Sequence, residues 1–220
     1  MKKLLYFILG FALTASLQAQ EAKQVFVNMP DSVLPILTKV NRADCIDFLD
    51  SDMRALIKNR FDQQSEMTRL TSDYIHMQLS PLSTFELKLL PLTDTTRIIC
   101  TIRTVCSKAC DSRISFYTTD WKPLASANYI TPPLSTDFLP DSIPAAISDT
   151  LRTPWETLRT EADILLMKAT LSDSTGTLSY EYTTPQYMGT ESSDQLFPLL
   201  KRSHLVYEWK DGRFVRKEEQ

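Results

Sequence analysis

Residues 97–119, "RIICTIRTVCSKACDSRISFYTT", decide the fold class, because they read as two strands, "RIICTIRTVC" and "SRISFYTT", joined by a short turn. A connection this short forces antiparallel neighbours. Cys106 and Cys110 lie across that turn, close enough for a disulfide to pin the hairpin. Upstream, "DYIHMQLS" alternates Ile75, Met77 and Leu79 against Tyr74, His76 and Gln78, and "TFELKLL" alternates Phe85, Leu87 and Leu89 against Glu86 and Lys88. Four strands in succession therefore make an antiparallel sheet. Ahead of them, an extended lead-in "QVFVNM" passes into helix from about Asp31, with Pro35 separating a first turn from a longer helix. Asn41 is the expected N-cap of that helix, and Ile46, Leu49, Met53, Leu56 and Ile57 follow at helical spacing.

Downstream the plan restarts. Residues 128–138 form a Pro-rich stretch read as a linker, and then "LPDSI" at 139–143 repeats the "MPDSV" of 29–33, 110 residues apart. A short helix is expected at about 143–151 and another near Trp155 to Leu158, followed by the strands "ADILLMKATLS", "TLSYEYTT", "HLVYEWK" and "RFVRK". Asp211-Gly212 marks the last hairpin. The expected architecture is thus α+β, a tandem repeat of helix plus four-stranded antiparallel sheet. Its lobes are 20–127 and 139–220, behind a signal peptide at 1–19. The competing reading is one continuous α+β domain that starts two helices alike.

The N-terminal "MKKLLYFILGFALTASLQAQ" carries two lysines, an apolar run too short to span a bilayer, and small residues near Ala19. That is the plan of a secretory signal peptide cut near Gln20 or Glu21, and it places the mature chain in the periplasm or outside the cell. Its removal takes the formal net charge from −3 to −5, which does not suit a nucleic-acid binder. With 43% apolar and 23% charged residues the chain can build ordinary cores. Cys100 and Cys106 lie about 20 Å apart along one strand at about 3.3 Å per residue, so they do not bridge. Cys45 and Cys100 remain as a second bridge or as two buried thiols.

Chemical signatures are scarce. The two histidines, His76 and His204, sit on the polar sides of their strands, with no nucleophile or orienting acid placed beside them by local sequence. There is no Gly-x-Ser-x-Gly or Ser-x-x-Lys motif, and four glycines are too few for a phosphate loop. "CSKAC" has neither a second zinc pair nor the redox spacing, and Asp47, Asp50 and Asp52 lack calcium-loop order. No catalytic residue, metal site or cofactor is assigned. The Trp121, Trp155 and Trp209 side chains are expected in cores. What the second half has and the first lacks is the insertion "PQYMGTESSDQLFPLL". Its Tyr187, Met188, Leu196 and Phe197 are the candidate binding residues.

In "VFVNMPDSVLPILTKVNRADCIDFL", "LTSDYIHMQLS", "ELKLLPL", "TVCSKACDSRISFYTTDWKPL" and the later "LPDSI", the chain resembles the exported Bacteroidales proteins grouped as domain of unknown function 3256. That resemblance implies an envelope or extracellular protein with no established activity. The architecture is also similar to small modules of beta-lactamase-inhibitor-type and peptidase-propeptide-like envelope domains, although fold does not give function. The functional expectation is an exported, non-enzymatic binding or inhibitory module whose partner is an envelope protein or peptide. The alternatives are a structural envelope component, or an envelope hydrolase using two carboxylates from separate strands.

Overall fold

A computed structural model describes residues 22–141 and 152–218. The signal peptide and the helix expected at about 143–151 lie outside the described residues. Three layers stack: an N-terminal helical layer, a seven-stranded antiparallel sheet, and a four-stranded antiparallel sheet.

The first sheet is a meander of β1 (Ala55–Lys58), β2 (Gln64–Leu70), β3 (Tyr74–Ser80), β4 (Ser83–Pro91), β5 (Arg97–Cys106), β6 (Cys110–Thr118) and β7 (Pro123–Leu124). Helix α1 (Lys39–Asp50) lies against one face of it. Several local expectations are corrected here. The lead-in is helical over 22–27, and residues 31–37 are turns and bends, not helix. Thr38 is the N-cap of α1, with Asn41 at its third position completing a reciprocal capping box. The helix stops at Asp50, so Leu56 and Ile57 belong to β1, where Ile57 points into the helix-side core and β2 supplies the missing backbone partners. Beyond the four expected strands, β1, β2 and the two-residue β7 are additional.

The "MPDSV" turn has its own physics. Arg42 is fully buried and donates to the carbonyls of Leu37 (2.8 Å) and Met29, while Asp31 receives both Arg42 and Arg60. Burial lowers the Arg42 pKa, and the Asp31 carboxylate pulls the other way. Asp31 is therefore a clamp holding turn, helix and hairpin together. The second copy of the signature does something else: the Asp141 carbonyl accepts from Arg159 and its carboxylate lies 3.5 Å from Lys201.

After the 3-10 turn Ser126–Asn128 and the short α2 (Ser135–Phe138), α3 (Arg152–Glu161) leads into the second sheet. Its order is β11-β10-β9-β8, with β8 (Met167–Leu171), β9 (Thr177–Tyr182), β10 (His204–Lys210) and β11 (Arg213–Arg216). Leu178, Tyr180, Leu205, Tyr207 and Phe214 point inward, and Glu181, Val206, Glu208 and Val215 alternate away from them. That inner face packs on Tyr74, Leu90, Ile98, Cys100, Ile102 and Phe116 of the first sheet.

The chain is thus α+β with two antiparallel sheets, but the tandem unit of helix plus four strands is not confirmed: the sheets have seven strands and four. The stretch read as a linker is packed, since Ile130 and Phe138 are buried in the core the two sheets share. The first sheet is consequently covered on both faces. In β4, Phe85, Leu87 and Leu89 face the helices, while Glu86 (3% exposed), Lys88 (2%) and Leu90 face the second sheet. A pattern that reads as one wet face is in fact two dry ones.

Candidate binding surface

The predicted insertion folds as α4 (Thr184–Tyr187), α5 (Thr190–Leu196) and the 3-10 turn Phe197–Leu199. Pro185 in the first turn of α4 and Gly189 as the N-cap of α5 set these short elements. They divide the four candidate residues. Tyr187 (54%) and Phe197 (60%) are exposed, whereas Met188 packs on the inter-sheet core and Leu196 is fully buried in it. Leu196 is therefore a core residue and cannot meet a partner at the surface. The insertion covers the end of the second sheet and leaves two separate aromatic side chains outside.

The interior between the sheets contains buried polar groups, Glu86 and Lys88 among them. Edge strand β8 turns the N–H groups of Ala169 and Leu171 away from β9, and they donate to Ser112 Oγ (2.9 Å) and Glu86 Oε2 (2.8 Å) of the first sheet. The Tyr74 hydroxyl also donates to Glu86, at 3.1 Å. Burial pushes the Glu86 pKa up to about 7 against those hydrogen bonds. Lys88 lies 3.2 Å from Asp73 and donates to the Asp173 carbonyl. Glu86 and Ser112 thus take the place of the missing neighbour strand.

His76 Nδ1 is 2.6 Å from Thr68 Oγ1, and burial lowers its pKa, with Lys168 adding to the effect. His204 Nδ1 is 2.9 Å from Ser203 Oγ. Among the described residues neither ring is bonded to a carboxylate, and no cluster of three metal-ligating side chains occurs. In each of four open cavities lined by described residues there is at most one carboxylate: Asp50, Asp111, Asp137 or none. The paired acids that a glycosidase needs are not brought together in any of them. Cys45 and Cys100 are buried free thiols in different cores, on opposite faces of the first sheet, so the second bridge does not form.

The surface that stands out lies at the hairpin end of the first sheet. In a meander the turns β1–β2, β3–β4 and β5–β6 share one end, and each carries or adjoins an exposed apolar side chain: Phe61 (69%), Leu82 (59%) and Val105 (62%). A cavity of about 450 Å³ opens there between a wall of Pro35, Ile36 and Phe61 and the uncovered strip of β5–β6 carrying Arg103, Val105 and Arg113. The α1 layer stops short of this strip. The frame is well fixed: a disulfide joins Cys106 to Cys110 with Cα atoms 4.0 Å apart, the Cys106 N–H donates to the Leu82 carbonyl (2.8 Å), and Arg60 N–H donates to the Ile36 carbonyl (3.1 Å). The sequence offered a weak signal for this site, since "NRFDQQ" and "TVCSKAC" place Phe61 and Val105 beside turns. That both tips enter one groove follows only from the strand order.

No curated protein matches the chain. Among solved structures, "Structure of a domain of an uncharacterized protein from Porphyromonas gingivalis W83" is similar at 29% identity and a TM-score of 0.76, covering 90% of this chain and 98% of that one. A family described as "Protein of unknown function (DUF3256)" matches residues 14–214, nearly the whole chain, and the protein belongs to that family.

Proposed function

We propose that this protein is an exported, non-enzymatic binding module of the bacterial envelope that recognises a protein or peptide through the hairpin end of its first sheet. The observation that carries the reading is the groove walled by Phe61, Pro35 and Ile36 and floored by the β5–β6 strip: large apolar side chains held exposed on a braced framework. Monomers rarely leave such groups together unless something covers them. Pre-organisation also reduces the ordering cost of association.

Crosslinking of the mature chain, begun at Glu21, in its native envelope followed by mass spectrometry tests the proposal. The comparison is between Phe61→Ser/Val105→Ser and Tyr187→Ser/Phe197→Ser. Deleting the whole insertion is a poor control, because it removes Leu196 from the core. A partner captured by the native chain and lost with the first pair supports this surface. Loss only with the second pair moves the site to the insertion, and no specific partner for the native chain removes the reading.

A further inference from the structure

The two arginines of the groove carry a more specific inference. Arg103 and Arg113 are register partners, directly opposite each other on β5 and β6, and both line the same cavity. Like charges in directly opposed positions repel. Arg60 and Arg42 near this end share Asp31, and Lys58 pairs with Asp62, while Lys108 lies exposed in the β5–β6 turn beside the groove. Among the described residues neither Arg103 nor Arg113 has an ion pair or hydrogen bond to a carboxylate, and Asp111 in the same cavity pairs with neither. The groove is left with two guanidinium groups, one carboxylate and an apolar wall.

Resting on the binding-module reading, we infer that the groove takes an extended acidic segment of a partner polypeptide. An Asp or Glu carboxylate sits between Arg103 and Arg113, and the adjacent apolar side chain lies against Phe61. A carboxylate received by guanidinium donors forms charge-assisted, geometrically matched hydrogen bonds and relieves the repulsion between the two cations. The mixed character of the groove favours a peptide over other anions. A lone phosphate would leave Phe61, Pro35 and Ile36 uncovered.

Fluorescence anisotropy with three labelled short peptides tests this on the mature chain: one with an Asp-Glu-Phe centre, one with Lys-Lys-Phe and one with Asp-Glu-Ser. The first is expected to bind tightest, with affinity falling as salt rises. Arg103→Ser/Arg113→Ser and Phe61→Ser should each weaken it by about tenfold or more, a change of about 1.4 kcal/mol. Tyr187→Ser should leave it unchanged. These substitutions are on exposed side chains, and melting temperatures check that each variant is folded. Equal binding of the acidic and lysine peptides, native-like binding by the double arginine variant, or preferential binding of inorganic phosphate or phosphatidylglycerol vesicles overturns the inference. An envelope partner captured equally by the native chain and the double arginine variant would sink this inference while leaving the binding-module reading standing.

Discussion

Glu86 shows how one side chain can tie stability to pH. Its folded pKa, pushed up to about 7 by burial, exceeds the ordinary 4.5, so between these values the folded state holds a proton that the unfolded chain has released. Unfolding stability must then fall as pH rises from about 4.5 through about 7, by up to about 3 kcal/mol from this group alone. His76, whose pKa is lowered, acts oppositely: its contribution is lost as pH falls below its ordinary value. The comparison that isolates Glu86 is therefore native protein against Glu86→Gln in urea melts at pH 4.5, 6 and 8. The glutamine keeps an acceptor for the Leu171 N–H, and its advantage over the native chain should grow with pH. A pH-independent difference would show that Glu86 does not titrate in this window. At the same scale, burial pushes the Cys45 thiol up to about 12 and raises Cys100 further. Both should resist a thiol reagent until the chain unfolds, when two equivalents react.

Among the elements, the β5–β6 hairpin was readable and its environment was not. Its strands, its turn and the Cys106–Cys110 pairing follow from alternation and spacing within a few residues. Removing the bridge as Cys106→Ser/Cys110→Ser should cost about 2 kcal/mol, the chain-entropy value for so short a loop, seen as a lower melting temperature. The groove should survive in the variant with looser walls, because Cys106 N–H and Arg60 N–H retain their carbonyl partners. A melting temperature equal to the native one would assign the rigidity to those backbone bonds instead. Strands β1 and β2 were missed because exposed polar residues such as Gln63 and Gln64 mask a period that only Ser65 and Met67 reveal. The burial of Glu86 and Lys88 was not legible for a related reason: local alternation says which residues share a face, and only tertiary structure says what covers that face. In the insertion, the burial of Leu196 and the packing of Met188 on the core were not legible, since the helical segment that carries Leu196 is short and polar on its other sides.

For the whole molecule, the central question is whether the two sheets are separate domains, as the repeated signature and the Pro-rich stretch suggested, or layers of one. The core they share favours layers of one. Phe116 of the first sheet stacks on Tyr129 (ring centroids 5.0 Å apart) and lies 6.5 Å from Trp209 and 6.4 Å from Phe214, both of the second sheet. The Trp209 indole N–H donates to the Pro91 carbonyl at 2.7 Å, crossing between sheets again. A chain ending at residue 127 would keep the helix-side core but expose Tyr74, Leu90, Ile98, Cys100, Ile102 and Phe116 on one face, together with the buried charges of Glu86 and Lys88. That is more contiguous apolar surface than a soluble monomer carries. Fragment 20–127 should therefore melt without a cooperative transition, bind a hydrophobic dye strongly and aggregate. Adding fragment 128–220 should restore a single sharp transition, because it returns the covering sheet and the acceptor-starved strand β8 together. A fragment that melts sharply on its own, with native hydrogen-exchange protection in β3 to β5, would show that the helix-side core suffices and that the second sheet is a separable domain docked on it.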